Sequence, residues 1–286
     1  MRRRFINKSK IVFDYNDYLT IYALEDGLTV SLSTNACRYC VDGDGNWKSL
    51  AAGVETESIN TGQTLSFRGE LTPTYSAGIG TFTISKKCNL EGNCMSMLFG
   101  DNAANNLSLN GKNYAFYNLF YDCTNIVSVS ENFLPATTLA ERCYNNMFYG
   151  CTSLTAAPEL PATTLSYMCY AYMFYNCSNL TTAPALPATT LVSICYNSMF
   201  SGCSNLTTAP ELPATTLVSW CYYRMFYNCN KLNYIKMLAT DISAYWCLDE
   251  WVSGVASVGI FAKNKNMASL PTGANGIPSG WTVQNV

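Results

Sequence analysis

Residues 160–185 read LPATTLSYMCYAYMFYNCSNLTTAPA, and this 26-residue pattern occurs four times, starting at Leu134, Leu160, Leu186 and Leu212. Each copy opens Leu-Pro-Ala-Thr-Thr-Leu. Each carries Cys-Tyr at its tenth and eleventh positions and Met-Phe at its fourteenth and fifteenth. A cysteine follows three residues after that Phe, and a leucine three residues later still. Met147, Met173, Met199 and Met225 mark the step. A degraded fifth copy runs from Leu238 through Cys247, and upstream the run AFYNLFYDC at 115–123 matches 143–151. Residues 94–99 match the same stretch again. A fixed period of this length signals stacked coils, each unable to bury its apolar face alone. The repeats cover 88–250.

Within a copy, Leu139, Cys143 and Met147 are spaced by four, which predicts one buried face of a helix. Thr138 is a suitable N-cap, with Glu141 three residues on completing a capping box. The residue before the second cysteine is Gly150, Asn176, Gly202 or Asn228. Gly and Asn are the residues that best tolerate the left-handed conformation past a helix end. The spacing therefore predicts a helix over 138–149 and its counterparts. A short extended run such as Leu154 to Ala157 follows, and Pro158 and Pro161 end it. Prolines remove ladder donors, so strands of two to four residues are expected. Strands repeat about 4.8 Å apart and helices about 9 Å apart, so the array should bend with helices on its convex side.

The Met-Phe-x-x-Cys-x-x-Leu core, as in Met173 to Leu180, followed by Leu-Pro at the next copy, resembles the BspA-like leucine-rich repeat family. The resemblance covers over half the chain. The family usually has Ala-Phe where this chain has Met-Phe, and a shorter repeat of roughly 23 residues. The resemblance implies protein or glycan binding at a surface rather than catalysis, in members found on bacterial surfaces and in phage-borne proteins.

Composition narrows function. Charged residues are 13% of the chain and the net charge is −2, too little positive charge to neutralise many phosphates, so no nucleic-acid partner is expected. The chain has no histidine, which removes Ser-His-Asp and Cys-His catalysis and histidine metal sites. The repeats hold no paired carboxylates for acid–base work, so no enzyme and no cofactor are expected. Ten of the 14 cysteines fall into two columns: Cys123, Cys151, Cys177, Cys203, Cys229, and Cys143, Cys169, Cys195, Cys221, Cys247. That register suits reduced thiols packed as small apolar groups. Cys37, Cys40, Cys88 and Cys94 have poor spacing for zinc, and no metal site is assigned.

Variation among the copies points to candidate binding residues. The inward positions are constant. The eighth reads Glu141, Tyr167, Ser193, Ser219, and the ninth Arg142, Met168, Ile194, Trp220. The twelfth reads Asn145, Ala171, Asn197, Tyr223, and the thirteenth Asn146, Tyr172, Ser198, Arg224. Such variation is also what unconstrained solvent positions show. Yet Tyr, Trp and Arg are the preferred anchors of interfaces, and a row of outward apolar side chains suggests a partner. The candidate receptor-binding residues are Arg142, Tyr167, Met168, Tyr172, Ile194, Trp220, Tyr223 and Arg224.

The ends differ from the middle. Residues 1–14 form a basic arm with no apolar run long enough for a signal peptide or membrane span. Residues 15–87 hold alternating runs, Tyr18 to Ala23, Leu28 to Leu32, Thr64 to Arg68 and Gly80 to Ile84, read as strands. Cys37 to Val41 and Trp47 to Ala51 flank a hairpin turn at Asp42-Gly-Asp-Gly-Asn. That turn imitates a calcium loop without its sixth-position Gly and loosely resembles a sialidase Asp-box; a structural role is assigned. Residues 251–286 leave the pattern and are read as a C-terminal cap. The expected fold class is α+β: an N-terminal β-sandwich-like domain, then a curved leucine-rich-repeat α/β solenoid with a cap. The function expected is a non-enzymatic attachment protein, a phage virion (tail or fibre-type) protein binding a host surface protein or glycan. It would meet other virion proteins through the arm and β domain, with homo-oligomers allowed. The alternatives are a bacterial cell-surface adhesin and a purely structural virion component.

Overall fold

The computed structural model describes residues 17–267 and 269–286. The basic arm expected at 1–14 lies outside the described residues. The β-rich segment forms where the alternating runs predict it: β1 (Leu19–Ala23), β2 (Val30–Leu32), β3 (Cys37–Val41), β4 (Lys48–Leu50), β5 (Thr64–Arg68) and β6 (Phe82–Ile84). Two further strands, β7 (Cys88–Glu91) and β8 (Ile126–Val129), complete a six-stranded sheet of order β4-β3-β5-β1-β7-β8. β2 and β6 pair separately as an antiparallel ladder.

The expected boundary at 87/88 falls inside that sheet. β1 is hydrogen-bonded to β5 on one side and to β7 on the other, with Thr20 opposite Ser66 and Glu91. β8 then joins β7 in parallel. A sheet leaves no buried ladder edge unpaired, so the first coils of the repeat supply the next rungs. Val127 C=O accepts from Thr155 N–H and Thr155 C=O from Thr181 N–H, at 3.1 and 3.0 Å, carrying the strand-like edge up the stack. Between β8 and Tyr234 this edge is reduced to isolated bridges such as Ala156 with Thr182 and Thr208 with Tyr234. The recurring prolines account for that brevity.

The helix expected over 138–149 is absent. In its place the chain makes successive turns with two alternating sets of backbone bonds. The N–H groups of Cys143, Asn145, Met147, Tyr149 and Cys151 donate to the carbonyl three residues back. Those of Arg142, Tyr144, Asn146, Phe148 and Gly150 donate to Tyr167, Cys169, Ala171, Met173 and Tyr175 of the next coil, at 2.8–3.0 Å. Every fourth residue is left-handed: Arg142, Asn146 and Gly150 have φ of 51°, 55° and 71°. The spacing carries the reason. An α-helix drifts about 40° for every four-residue step, so a fourth residue would leave the face after about 120°. Here Leu139, Cys143, Met147 and Cys151 are all buried, which only a true four-residue period allows. Thr138 is a bridge residue between Ser108 and Thr164 rather than an N-cap, and the capping box with Glu141 does not form. Without helices in the four copies from Leu134 to Met237, the expected cause of bending is also gone there.

The core is built of in-register columns. Phe82, Phe120, Phe148, Phe174, Phe200 and Phe226 stack with centroids 5.5–5.9 Å apart. Phe116, Tyr144, Tyr170, Tyr196 and Tyr222 form a second column at 5.6–6.1 Å. Burying each Phe ring contributes about 1.5–3 kcal/mol. All 14 cysteines are free and buried. Cys123, Cys151, Cys177, Cys203 and Cys229 donate their S–H to the carbonyls of Phe82, Phe120, Phe148, Phe174 and Phe200, at 3.0–3.2 Å. The Phe120, Phe148, Phe174 and Phe200 carbonyls also accept the turn N–H of Cys123, Cys151, Cys177 and Cys203, so there the thiol is a second donor.

Stacking also continues past 250. Phe226 N–H donates to Trp251 C=O and Asn228 N–H to Ser253 C=O. β9 (Tyr234–Met237), β10 (Ile260–Lys263) and β11 (Thr282–Asn285) form a parallel sheet of order β11-β10-β9. The segment expected to leave the pattern therefore keeps its geometry while losing its sequence. Trp251 stands in the Met column there, with Val252 and Val255 in the Phe and second Cys columns, and Trp251 and Trp281 donate their indole N–H to the Gly276 and Ala256 carbonyls.

Candidate recognition surface

The turn ribbons place the variable positions side by side, one coil above the next. The ninth column holds Tyr114, Arg142, Met168, Ile194, Trp220 and Trp246, all with φ between 51° and 65°. The thirteenth holds Asn118, Asn146, Tyr172, Ser198, Arg224 and Glu250, and is left-handed throughout. The twelfth is less exposed than the sequence suggests. Asn145, Ala171 and Asn197 are buried, because their N–H groups face the preceding turn, and only Tyr223 among the candidates there reaches the surface.

Six of the eight candidates gather in two clusters. In the first, the Arg142 guanidinium lies over the rings of Tyr114 and Tyr167, 5.4 and 5.6 Å from their centroids. It donates to the Tyr114 hydroxyl at 2.5 Å and to Met168 Sδ at 3.2 Å. Tyr75, from the β-rich segment and 76% exposed, packs on Tyr114 at 4.9 Å. In the second, Trp220 contacts Tyr223 at 4.8 Å and Trp246 at 4.6 Å, while Tyr245 lies 5.2 Å from Trp246. Arg224 lies over Tyr223 and Tyr227 and is held by Glu250 at 2.6 Å. Tyr172 and Ile194 lie between the clusters. Tyr172 packs on Tyr175 and adds to the electrostatic environment of Tyr223, two coils away.

Burial raises the Tyr114 and Tyr223 hydroxyls above the usual phenol range, and Arg142 and Arg224, each bonded to a partner, also titrate higher than usual. Both arginines are fixed cations lying on phenol faces. No group of three His, Cys, Asp or Glu side chains suited to a metal ion occurs among the described residues. The Asp42 turn is occupied structurally: Asp42 accepts from Thr64 N–H and Gln63 Nε2, and Asp44 from Asn46 N–H. No helix among the described residues is long and apolar enough to cross a membrane.

The sequence reading missed Tyr75, Tyr114, Tyr245 and Trp246. For the last two the signal was present: counting 26 on from Ser219 and Trp220 reaches Tyr245 and Trp246, in the copy whose Leu-Pro opening is lost. Tyr114 stands where Arg142 does, one irregular step earlier. Nothing in the sequence brings Tyr75 to this face.

A family model, the BspA type leucine rich repeat region, matches six copies within residues 83–181 and 116–246. The chain belongs to this family. The matched span holds both cysteine columns except Cys247, and every candidate residue. No curated protein and no solved structure matches the chain.

Proposed function

We propose that this chain is a non-enzymatic recognition or adhesion protein that grips a macromolecular partner with the side chains of its turn ribbons. One observation carries the reading. Of the three columns that share the left-handed backbone, the seventeenth and the ninth differ most in their residues. The seventeenth holds Asp122, Gly150, Asn176, Gly202, Asn228 and Gly254, the types that adopt this conformation readily. The ninth holds Tyr, Arg, Met, Ile, Trp and Trp, each at a cost of about 1–2 kcal/mol. Gly or Asn would stack as well there. Strained backbone kept against an easier alternative is characteristic of positions whose side chains are used.

The finer reading is a phage tail or fibre-type virion protein that binds a host surface receptor, the phage-borne members of the repeat family being its support. The partner would be a host protein or glycan, and the β-rich segment would meet other virion proteins. Binding of the purified chain to host cells should be lost in Trp220→Ala/Tyr223→Ala with the melting temperature retained. Binding that survives this double substitution removes the surface. Mass spectrometry of purified particles tests the location: absence of the chain from virions leaves a cell-surface adhesin.

A further inference from the structure

On this face, tyrosines in two places carry an arginine of the same chain. Arg142 covers Tyr114 and Tyr167, and Arg224 covers Tyr223 and Tyr227. Three rings of the second cluster lack that cover. Tyr245 is 61% and Trp246 43% exposed, and among the described residues no Lys or Arg stands over either of them or over Trp220. Five of the six ring pairs among Trp220, Tyr223, Tyr245 and Trp246 have centroids 4.6–6.1 Å apart. Asp249 and Glu250 stand beside the cluster, close enough to act on the Tyr223 hydroxyl. Glu250 is bonded to Arg224 and Asp249 accepts from Asn275 Nδ2, and among the described residues no ion pair holds Asp249.

We propose that Trp220, Tyr223, Tyr245 and Trp246, with Asp249 at their border, form the anchor site for an arginine side chain on a basic segment of a partner protein. The site repeats in trans what Arg142 and Arg224 do in cis. A guanidinium is planar, weakly hydrated and drawn to the negative face of indole and phenol rings. Asp249 supplies the complementary charge, Glu250 being engaged by Arg224, and a chain of net charge −2 does not repel a basic segment. This inference deepens the recognition reading and rests on it for the partner, though not for the chemistry of the site.

The test separates the two. The full chain has five tryptophans, so its indole N–H region in a 15N spectrum is simple, and Trp220→Phe and Trp246→Phe assign two of the signals. The probe is a capped Gly-Arg-Gly-Arg-Gly peptide, titrated against its citrulline counterpart, which keeps shape and loses charge. The Trp220 and Trp246 signals should move saturably with the arginine peptide, roughly fivefold more tightly than with citrulline. Binding should weaken in high salt and in Tyr245→Ser, whose exposed ring contributes little to folding. Equal binding of both peptides, no shift with either, or the same signals moving only with a neutral oligosaccharide would each overturn the proposal. If the arginine peptide binds but host-cell binding ignores Trp246→Phe and Tyr245→Ser, the cation site stands and its use in adhesion fails. The reverse result keeps adhesion and removes the cation.

Discussion

The side-chain oxygen of Asn176 lies 2.1 Å from the point that a Cβ on Gly202 would occupy. The same relationship joins Asp122 to Gly150 at 2.0 Å and Asn228 to Gly254 at 2.5 Å. The column alternates because each Asx side chain fills the space above the next coil, leaving room there for glycine alone. Gly202→Ala should therefore destabilise by about 1–2 kcal/mol through left-handed strain, and further through the displaced Asn176. Denaturant unfolding checks this. Asn176→Gly/Gly202→Ala should recover the overlap and leave the strain; no recovery would mean that the contact is unimportant.

Ile194 is the least natural occupant of a left-handed position in the stack, a β-branched residue at φ 65°. Its backbone is held by Ser219 C=O, which accepts its N–H, and by Asn197 N–H, which donates to its carbonyl. Ile194→Asn should raise the melting temperature, because about 1–2 kcal/mol of strain is relieved at a partly exposed site. Calorimetry on the two chains decides it, and a lower midpoint would show that the side chain packs for more than it strains.

The thiols set the response to base. Burial pushes the Cys37, Cys123, Cys169, Cys221 and Cys229 thiols up to about 12. Unfolded thiols ionise near 8.5–9, so above that pH the unfolded chain releases protons that the folded chain retains. Their contribution is complete below about pH 9 and is lost as pH rises toward 12. Melting temperatures measured in reductant should fall steeply between pH 9 and pH 11. In the native state at pH 8 iodoacetamide should leave these thiols unmodified, and in denaturant it should modify all 14 cysteines. Rapid native labelling of the columns would contradict the packing.

Cys177 should matter for its hydrogen rather than its size. Its S–H donates to Phe148 C=O at 3.1 Å inside the stack. Cys177→Ala, which removes the donor and leaves a small void, should cost about 1–3 kcal/mol in denaturant unfolding, and Cys177→Ser less because a hydroxyl can still donate.

Asp42 ties the β3–β4 turn to β5. Its carboxylate accepts from Thr64 N–H at 2.8 Å and Gln63 Nε2 at 2.9 Å, with its own φ at 48°. Asp42→Ala loses both bonds and places alanine in the left-handed region, for about 2–3 kcal/mol. Asp42→Asn keeps an acceptor and the conformation, so its midpoint should stay close to that of the parent.

The sequence by itself determined the period, the inward columns and the first six strands. Identical side chains 26 residues apart can only be reconciled by stacking, and alternating runs bounded by Gly and Asp have one easy conformation. It also picked out Trp220, Tyr223 and Arg142 by their departure from the repeat. The turn ribbon escaped it, since Leu139, Cys143 and Met147 fit periods of 3.6 and 4 equally over two steps. Cys151 separates them only once it is known to be buried. What fills residues 138–149 is decided between coils: half of the backbone donors there bond to the next coil, and no sequence window contains both partners. The same holds for the surface. Tyr245 and Trp246 meet Trp220 because the stack continues past the point where the pattern fades, and Tyr75 reaches Tyr114 because the sheet runs on into the repeat. Those are contacts between distant segments, and only the tertiary hydrogen-bond network fixes them.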